Sequence, residues 1–404
     1  MIFIMILLTA VFLALSTSAH LHHNRHDHVQ TPDISSEPWT SKYGPQMDLG
    51  YTGPLSFAHL PYLKCLEDSS KAFDIAILGF PFDTTTTFRP GARFGPYAIR
   101  VGSKRMAPEW WWDMGWQGSP DSVHGAGLLD CGDAPITPMD NAKALVQMEA
   151  AYDTLINRPG LEGTGTSYKN RTSFMAKDGK EHPRLVTLGG DHTIVLPILR
   201  SLNKVYGPVS VIHFDAHMDT GPTEGRIDQE RITHGSYFTI AWEEGLMLGN
   251  RSIHGGIRNK MSGPEFVEHD ESVGFQVISS EDIDDYGIQN VIKAIRKRIG
   301  DAPVYLSLDI DTVDPSLAPA TGTPEAGGWT TREMIRILRG LTGLNFVGAD
   351  IVEVAPAYDT ADITAIAAAD FVYEFLMMMQ LDEPPKPGHP GGPWVEADLL
   401  VHMQ

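Results

Sequence analysis

The chain has 404 residues, 42% of them hydrophobic, enough to bury a large core as one α/β domain or two smaller ones. Its formal charge of −20 argues against a phosphate-backbone partner such as nucleic acid and suits a cationic substrate. Two cysteines, Cys65 and Cys131, exclude a disulfide-stapled scaffold; a single bridge and two free thiols both fit.

Residues 1–19 are an apolar run followed by Ser16-Thr17-Ser18-Ala19, the pattern of a secretory signal cleaved near Ala19. No basic residue precedes the run. It falls short of the roughly 20 residues that span a bilayer, so a stable membrane anchor is not expected. Residues 20–55 follow as a His-rich arm, led by His20, His22, His23, His26 and His28, and are read as a solvated tail. Two N-x-[ST] sequons, at Asn170 and Asn250, fit a secreted glycoprotein.

Residues 56–380 are expected to form one domain, in which short apolar runs alternate with longer helical stretches from Phe73 onward. Short apolar runs predict strands at Ile75–Phe80, Arg184–Leu188, Val209–Phe214, Ser252–Ile257, Phe275–Ser279, Val304–Leu308 and Phe346–Val352. Helices are predicted between them, among them Asn141–Ile156, Ile194–Val205, Ile288–Ile299 and Thr331–Leu341, with a final one over Ile363–Gln380. This alternation predicts an α/β fold with a mostly parallel central sheet covered on both faces. Residues 381–404 are rich in proline and glycine and read as a tail.

Four polar clusters each follow a predicted strand. Gly189-Gly190-Asp191-His192 follows the second of those runs, Asp215-Ala216-His217-Met218-Asp219 the third, Asp309-Ile310-Asp311 the sixth, and Glu353 the seventh. Residues at i, i+2 and i+4 of a strand share a face, so Asp215, His217 and Asp219 are expected to converge, as are Asp309 and Asp311. In open α/β sheets ligands bind beyond the carboxyl ends of the strands, which brings the clusters to one place. Four carboxylates and two imidazoles (His192, Asp215, His217, Asp219, Asp309, Asp311) exceed the needs of one tetrahedral ion. They suit two divalent metals, and the carboxylate-heavy set leans toward Mn²⁺ over Zn²⁺.

These stretches resemble the ureohydrolases, the arginase and agmatinase family, and most closely agmatinase. The resemblance rests on Gly189 to His192, Phe214 to Asp219 and Ser307 to Pro324, with further likeness at Arg89 to Pro96, His234-Gly235-Ser236 and Val352 to Asp359. It implies a three-layer α/β/α, arginase-like fold and a binuclear manganese site. His192, Asp215, Asp219 and Asp309 would hold one ion, and Asp215, His217, Asp309 and Asp311 the other. Glu353 matches the carboxylate that binds guanidinium, and His234 the histidine that shuttles protons. Asp219 would also steady the reacting centre. The expected reaction is hydrolysis of a guanidino compound to urea and a primary amine, with agmatine giving putrescine. A homo-oligomer, trimeric or hexameric, is implied as well.

The loop from Thr220 to Thr233 lacks the Asn- and Ser/Thr-rich pattern by which arginase grips an amino-acid end, which favours agmatine over arginine. Within it, Asp228 or Glu230 suits a distal amine, while Arg226 or Arg231 suits a carboxylate such as that of guanidinobutyrate. A binuclear phosphoesterase lacks its required Asn-His pattern here. A non-catalytic secreted metal-binding protein is the rival from another class, and it gives no reason for Glu353 and His234.

Overall fold

The computed structural model describes residues 49, 52–106, 111–120, 127–161, 176–223 and 226–385, apart from the side chain of Asp228. The leader, most of the His-rich arm, the Asn170 sequon and the tail beyond residue 385 lie outside them.

Eight strands form one parallel sheet: β1 (Ile75–Gly79), β2 (Leu128–Asp133), β3 (Arg184–Leu188), β4 (Ser210–Phe214), β5 (Ile253–Ile257), β6 (Val277–Ser279), β7 (Pro303–Asp309) and β8 (Asn345–Val352). Their order across the sheet is β2-β1-β3-β8-β7-β4-β5-β6. The chain therefore lays down the left half, jumps to the right half, and returns to fill the middle with β7 and β8. The four central strands, β3, β8, β7 and β4, are the ones that precede the four polar clusters. Their ends are level, because Leu188 pairs with Ile351, Ile351 with Leu308, and Leu308 with Phe214. Side chains leaving those strands next must emerge at one height above the sheet.

The nine helices of the described residues are α1 (Gly95–Gly102), α2 (Asn141–Ile156), α3 (Val195–Tyr206), α4 (Tyr237–Glu243), α5 (Glu265–Val273), α6 (Asp282–Tyr286), α7 (Ile288–Ile299), α8 (Thr331–Gly340) and α9 (Ile363–Met378). Strand alternation splits the core in two. Ile75 and Ile77 of β1 face one layer with Ile295, Met334 and Phe371, from α7, α8 and α9. Ala76 and Leu78 face the other layer with Leu145, Leu199 and Phe238, from α2, α3 and α4. Helix α8 starts in a full capping box, with the Thr330 side chain bonding the Glu333 amide and Glu333 reciprocating. Helix α9 is buried over most of its surface, as a helix apolar all round must be.

Strand β2 was not expected from sequence, since Asp130, Gly132 and Asp133 interrupt its apolar run. It holds because Asp130 is fully satisfied: Arg100 donates from Nε and Nη2 to its two carboxylate oxygens, and the Phe57 amide adds a third bond. The segment after Phe57 covers this edge of the sheet. Leu63 donates to Asp130 O, and a Cys65–Cys131 disulfide fixes the cover in place. The two thiols therefore pair.

Candidate metal centre and cleft

The convergence expected of Asp215, His217 and Asp219 occurs, but not through strand alternation. Strand β4 stops at Phe214 and residues 215–219 leave the sheet as a loop. Asp219 there adopts a left-handed backbone at φ 56. Likewise Asp309 closes β7, whereas Asp311 lies in a 3-10 turn over Ile310–Thr312, capped by its own amide donating to Asp309 Oδ1 at 2.8 Å. Glu353, just past β8, also sits at positive φ (61) and donates its amide to Gly190 O. Such backbone in non-glycine residues costs about 1–3 kcal/mol and concentrates at functional sites. Gly190 is required for close approach, since a Cβ there would lie 1.7 Å from Phe82 O.

His192 is the hub. Its Nδ1 lies 3.1 Å from Asp215 Oδ2, 3.1 Å from Asp219 Oδ2 and 3.3 Å from Asp309 Oδ2. Its Nε2 lies 2.8 Å from Ser307 Oγ, and Ser307 spends its own proton on Asp350 Oδ1 at 2.9 Å. Nε2 is therefore the donor, and in the neutral ring Nδ1 turns a lone pair toward three carboxylates. Both His192 Nδ1 and Asp215 Oδ2 are buried, and with Nε2 as the donor Nδ1 has no proton to give these carboxylates. A divalent cation is the partner that satisfies lone pairs converging this way, and an outer hydrogen bond of the Ser307 kind is what orients a ligating imidazole.

A second cluster shares Asp215. His217 Nδ1 stands 3.2 Å from Asp215 Oδ1 and 3.1 Å from Asp311 Oδ2. Among the described residues, ligand atoms within 4.8 Å of one another form two groups: His192, His213, Asp215 and Asp219, and then Asp215, His217 and Asp311. Asp309 falls in neither group, though its Oδ2 faces His192. Burial and the repulsion of Asp311 and Asp215 lift Asp309 well above the usual carboxylate range. Burial and Asp215 push Asp311 up to about 6. Burial favours a neutral His217, but Asp311 and Asp215 overcome it and raise the ring to about 12. These directions describe a cluster that calls for positive charge.

His234 and Glu353 meet beside this centre. Burial favours a neutral His234, yet the hydrogen bond and charge of Glu353 raise it to about 9, with His234 Nδ1 3.1 Å from Glu353 Oε1. The Thr87 amide donates to His234 Nε2 at 3.0 Å and so opposes protonation at that nitrogen. Glu353 Oε1 also accepts from the His192 amide, while its buried Oε2 has no hydrogen-bond partner. His234 lines a cleft of about 190 Å³ with His217, Asp219 and Asp309. Glu353, only 1% exposed, lies behind His234 and outside the cleft wall.

The loop residues Arg226, Glu230 and Arg231 are absent from that wall. Arg231 is engaged by Glu243 and Thr223 instead. The rest of the described lining, Thr87, Met218, Gly221, Gly235, Asn259, Phe266 and Thr323, carries no charge. Sequence reasoning also missed the groups behind the ligands. His213 Nε2 is 3.0 Å from Asp215 Oδ2, and its Nδ1 is 2.7 Å from His254 Nδ1. Asp270 in turn takes bonds from His254 Nε2 and Thr220 Oγ1. A histidine inside an otherwise apolar strand was the available signal for His213 and His254.

Residues 73–378 match the Arginase family. Putative agmatinase 1 of Schizosaccharomyces pombe is 49% identical over 338 residues, covering 83% of this chain and 84% of that one. Proclavaminate amidino hydrolase from Streptomyces clavuligerus superposes with a TM-score of 0.70 at 30% identity, over 82% of this chain and 98% of that one. A hypothetical agmatinase from Burkholderia thailandensis gives 0.69 at 33% identity, over 82% and 92%. The chain belongs to the arginase family, and its relatives within that family include agmatinases.

Proposed function

We propose that this protein hydrolyses a guanidino compound, most closely agmatine, to urea and a primary amine at a binuclear manganese centre. The observation that carries the proposal is the convergence of three carboxylate oxygens on the buried His192 Nδ1, with Asp215 shared between two ligand clusters. His192, Asp215, Asp219 and Asp309 would hold one ion, and Asp215, His217, Asp309 and Asp311 the other. The bound ions supply Lewis acidity and a water that ionises near neutral pH.

The chain's own residues do the rest. The unpartnered Oε2 of Glu353 is an acceptor for the planar cation, by charge-assisted hydrogen bonding. His234 hands protons between cleft and solvent, with Thr87 and Glu353 fixing its ring. Asp219 steadies the reacting carbon's substituents and passes a proton to the leaving amine. Apart from His217, Asp219, His234 and Asp309, the described lining is uncharged, so an α-carboxylate would find no arginine or lysine in it, which supports a tail without an amino-acid end.

Secretion is part of the same reading. The leader at residues 1–19 motivates it, and the disulfide supports it, since such bonds persist in oxidising compartments. The Asn250 sequon is exposed, as a glycan acceptor must be. A homo-oligomer is proposed on the resemblance alone.

A urea-release panel with Mn²⁺ tests the substrate: agmatine is expected to lead guanidinobutyrate, guanidinopropionate and arginine. A preference for arginine would refute the argument from the cleft wall.

A further inference from the structure

Three of the six proposed ligands, Asp215, His217 and Asp219, sit on one loop that leaves the sheet after β4. The loop ends on the left-handed backbone of Asp219, a conformation that persists only where its surroundings impose it. Its two carboxylates also repel each other at close range. Neither local propensity nor the loop's own side chains account for its shape, so the support lies outside it.

Asp270, on α5, reaches both ends of that loop. Its Oδ1 accepts from Thr220 Oγ1 at 2.6 Å, one residue beyond Asp219. The same oxygen accepts from His254 Nε2, on β5, at 3.0 Å. His254 carries the contact onward, with its Nδ1 2.7 Å from the Nδ1 of His213. His213 lies two residues before Asp215, and its Nε2 stands 3.0 Å from Asp215 Oδ2. One carboxylate therefore grips the loop at its exit and, through two rings, at its entry.

The two rings are held where the relay needs them. His213 and His254 are register partners across β4 and β5, which puts both side chains on one face of the sheet. His254 stacks on Phe275 with centroids 3.9 Å apart and planes at 12°, while His213 meets Phe238 edge to face at 4.9 Å. Thr220, His213, His254 and Asp270 are all completely buried. Apolar residues would fill such positions at lower cost, because buried carboxylates and imidazoles need partners; polar networks of this kind specify one geometry. One turn before Asp270, the same helix presents Phe266 to the cleft, so α5 serves both cleft wall and loop.

We propose that Asp270 is a positioning residue for the metal centre. It brackets the ligand-bearing loop from Asp215 to Asp219, through Thr220 at one end and through His254 and His213 at the other. The proposal rests on the reading of Asp215 and Asp219 as metal ligands.

The test is titration of the chelated full chain with Mn²⁺, the free ion being followed by electron paramagnetic resonance. Denaturant unfolding of the same metal-free samples runs beside it. Asp270→Ala is expected to weaken Mn²⁺ binding at least about tenfold. Asp270→Asn, which keeps the shape and an oxygen for Thr220, should recover most of the affinity. His254→Phe retains a ring against Phe275 but removes both nitrogens, and should weaken binding as the alanine variant does. It also serves if Asp270→Ala does not fold. A lowered unfolding midpoint with Mn²⁺ affinity unchanged in the folded variants would make Asp270 a stability residue and overturn the proposal. A wild type that binds no Mn²⁺ would overturn the ligand reading itself, and the bracket with it.

Discussion

His192 shows how one side chain organises a centre. Ser307 and Asp350 fix which nitrogen carries the proton, and the other nitrogen is then committed to the carboxylates. Asp309 faces that nitrogen from the end of β7, and as a proposed bridge it should matter to both ions. Asp309→Asn is expected to lower bound metal and urea release together; metal analysis that finds the full complement would remove its bridging role. Glu353 makes a different prediction. Glu353→Gln keeps the shape but loses the charge, so guanidino binding should weaken by about 1.5–3 kcal/mol, read as a raised KM with metal content unchanged. An unaltered KM would leave Glu353 as no more than an anchor for His234. The convergence of Asp215, Asp219, Asp309 and Asp311 near His192 and His217 was legible because buried carboxylates beside a core strand demand explanation. Asn259 and Phe266 were not, because nothing in their own sequence neighbourhood marks them as cleft wall.

At the level of elements, seven of the eight strands were readable and β2, at one edge, was not. Arg184–Leu188 is a short run built on Leu185, Val186 and Leu188 with its bounds written in sequence, and α2 and α7 match their predicted ranges because their periodicity is uninterrupted. Strand β2 escaped since its stability comes from distant partners: Arg100 on Asp130, and Cys65 on Cys131. Tertiary pairing of that kind leaves no local pattern. The loop after β4 escaped in its geometry for a related reason, as the left-handed Asp219 depends on the ligand cluster rather than on local propensity. The bridge joins residues 66 apart in sequence, so its loss frees a long loop in the unfolded chain. Cys131→Ser is expected to destabilise the protein by about 2–5 kcal/mol, visible as a lowered midpoint of denaturant unfolding. An unchanged midpoint would mean that the edge cover over β2 holds without the covalent link.

For the whole molecule, the decisive property is level registration. Strands β3, β8, β7 and β4 end at one height, so four motifs separated by up to about two-fifths of the chain deliver their side chains to a single point. The strand order that achieves this, with β7 and β8 returning to the middle, cannot be read from any one motif. Net charge speaks at this scale as well: −20 in total, with a carboxylate cluster at the centre that two divalent ions would offset in part. The measurement that tests the central claim most directly follows metal content and urea release from agmatine in the same sample. After chelation, Mn²⁺ is added back in steps. The account predicts about two ions bound per chain, urea release absent from the stripped protein, and activity recovered as the sites fill. Full urea release from the metal-free chain, or two bound ions with no urea from any guanidino compound, would contradict it.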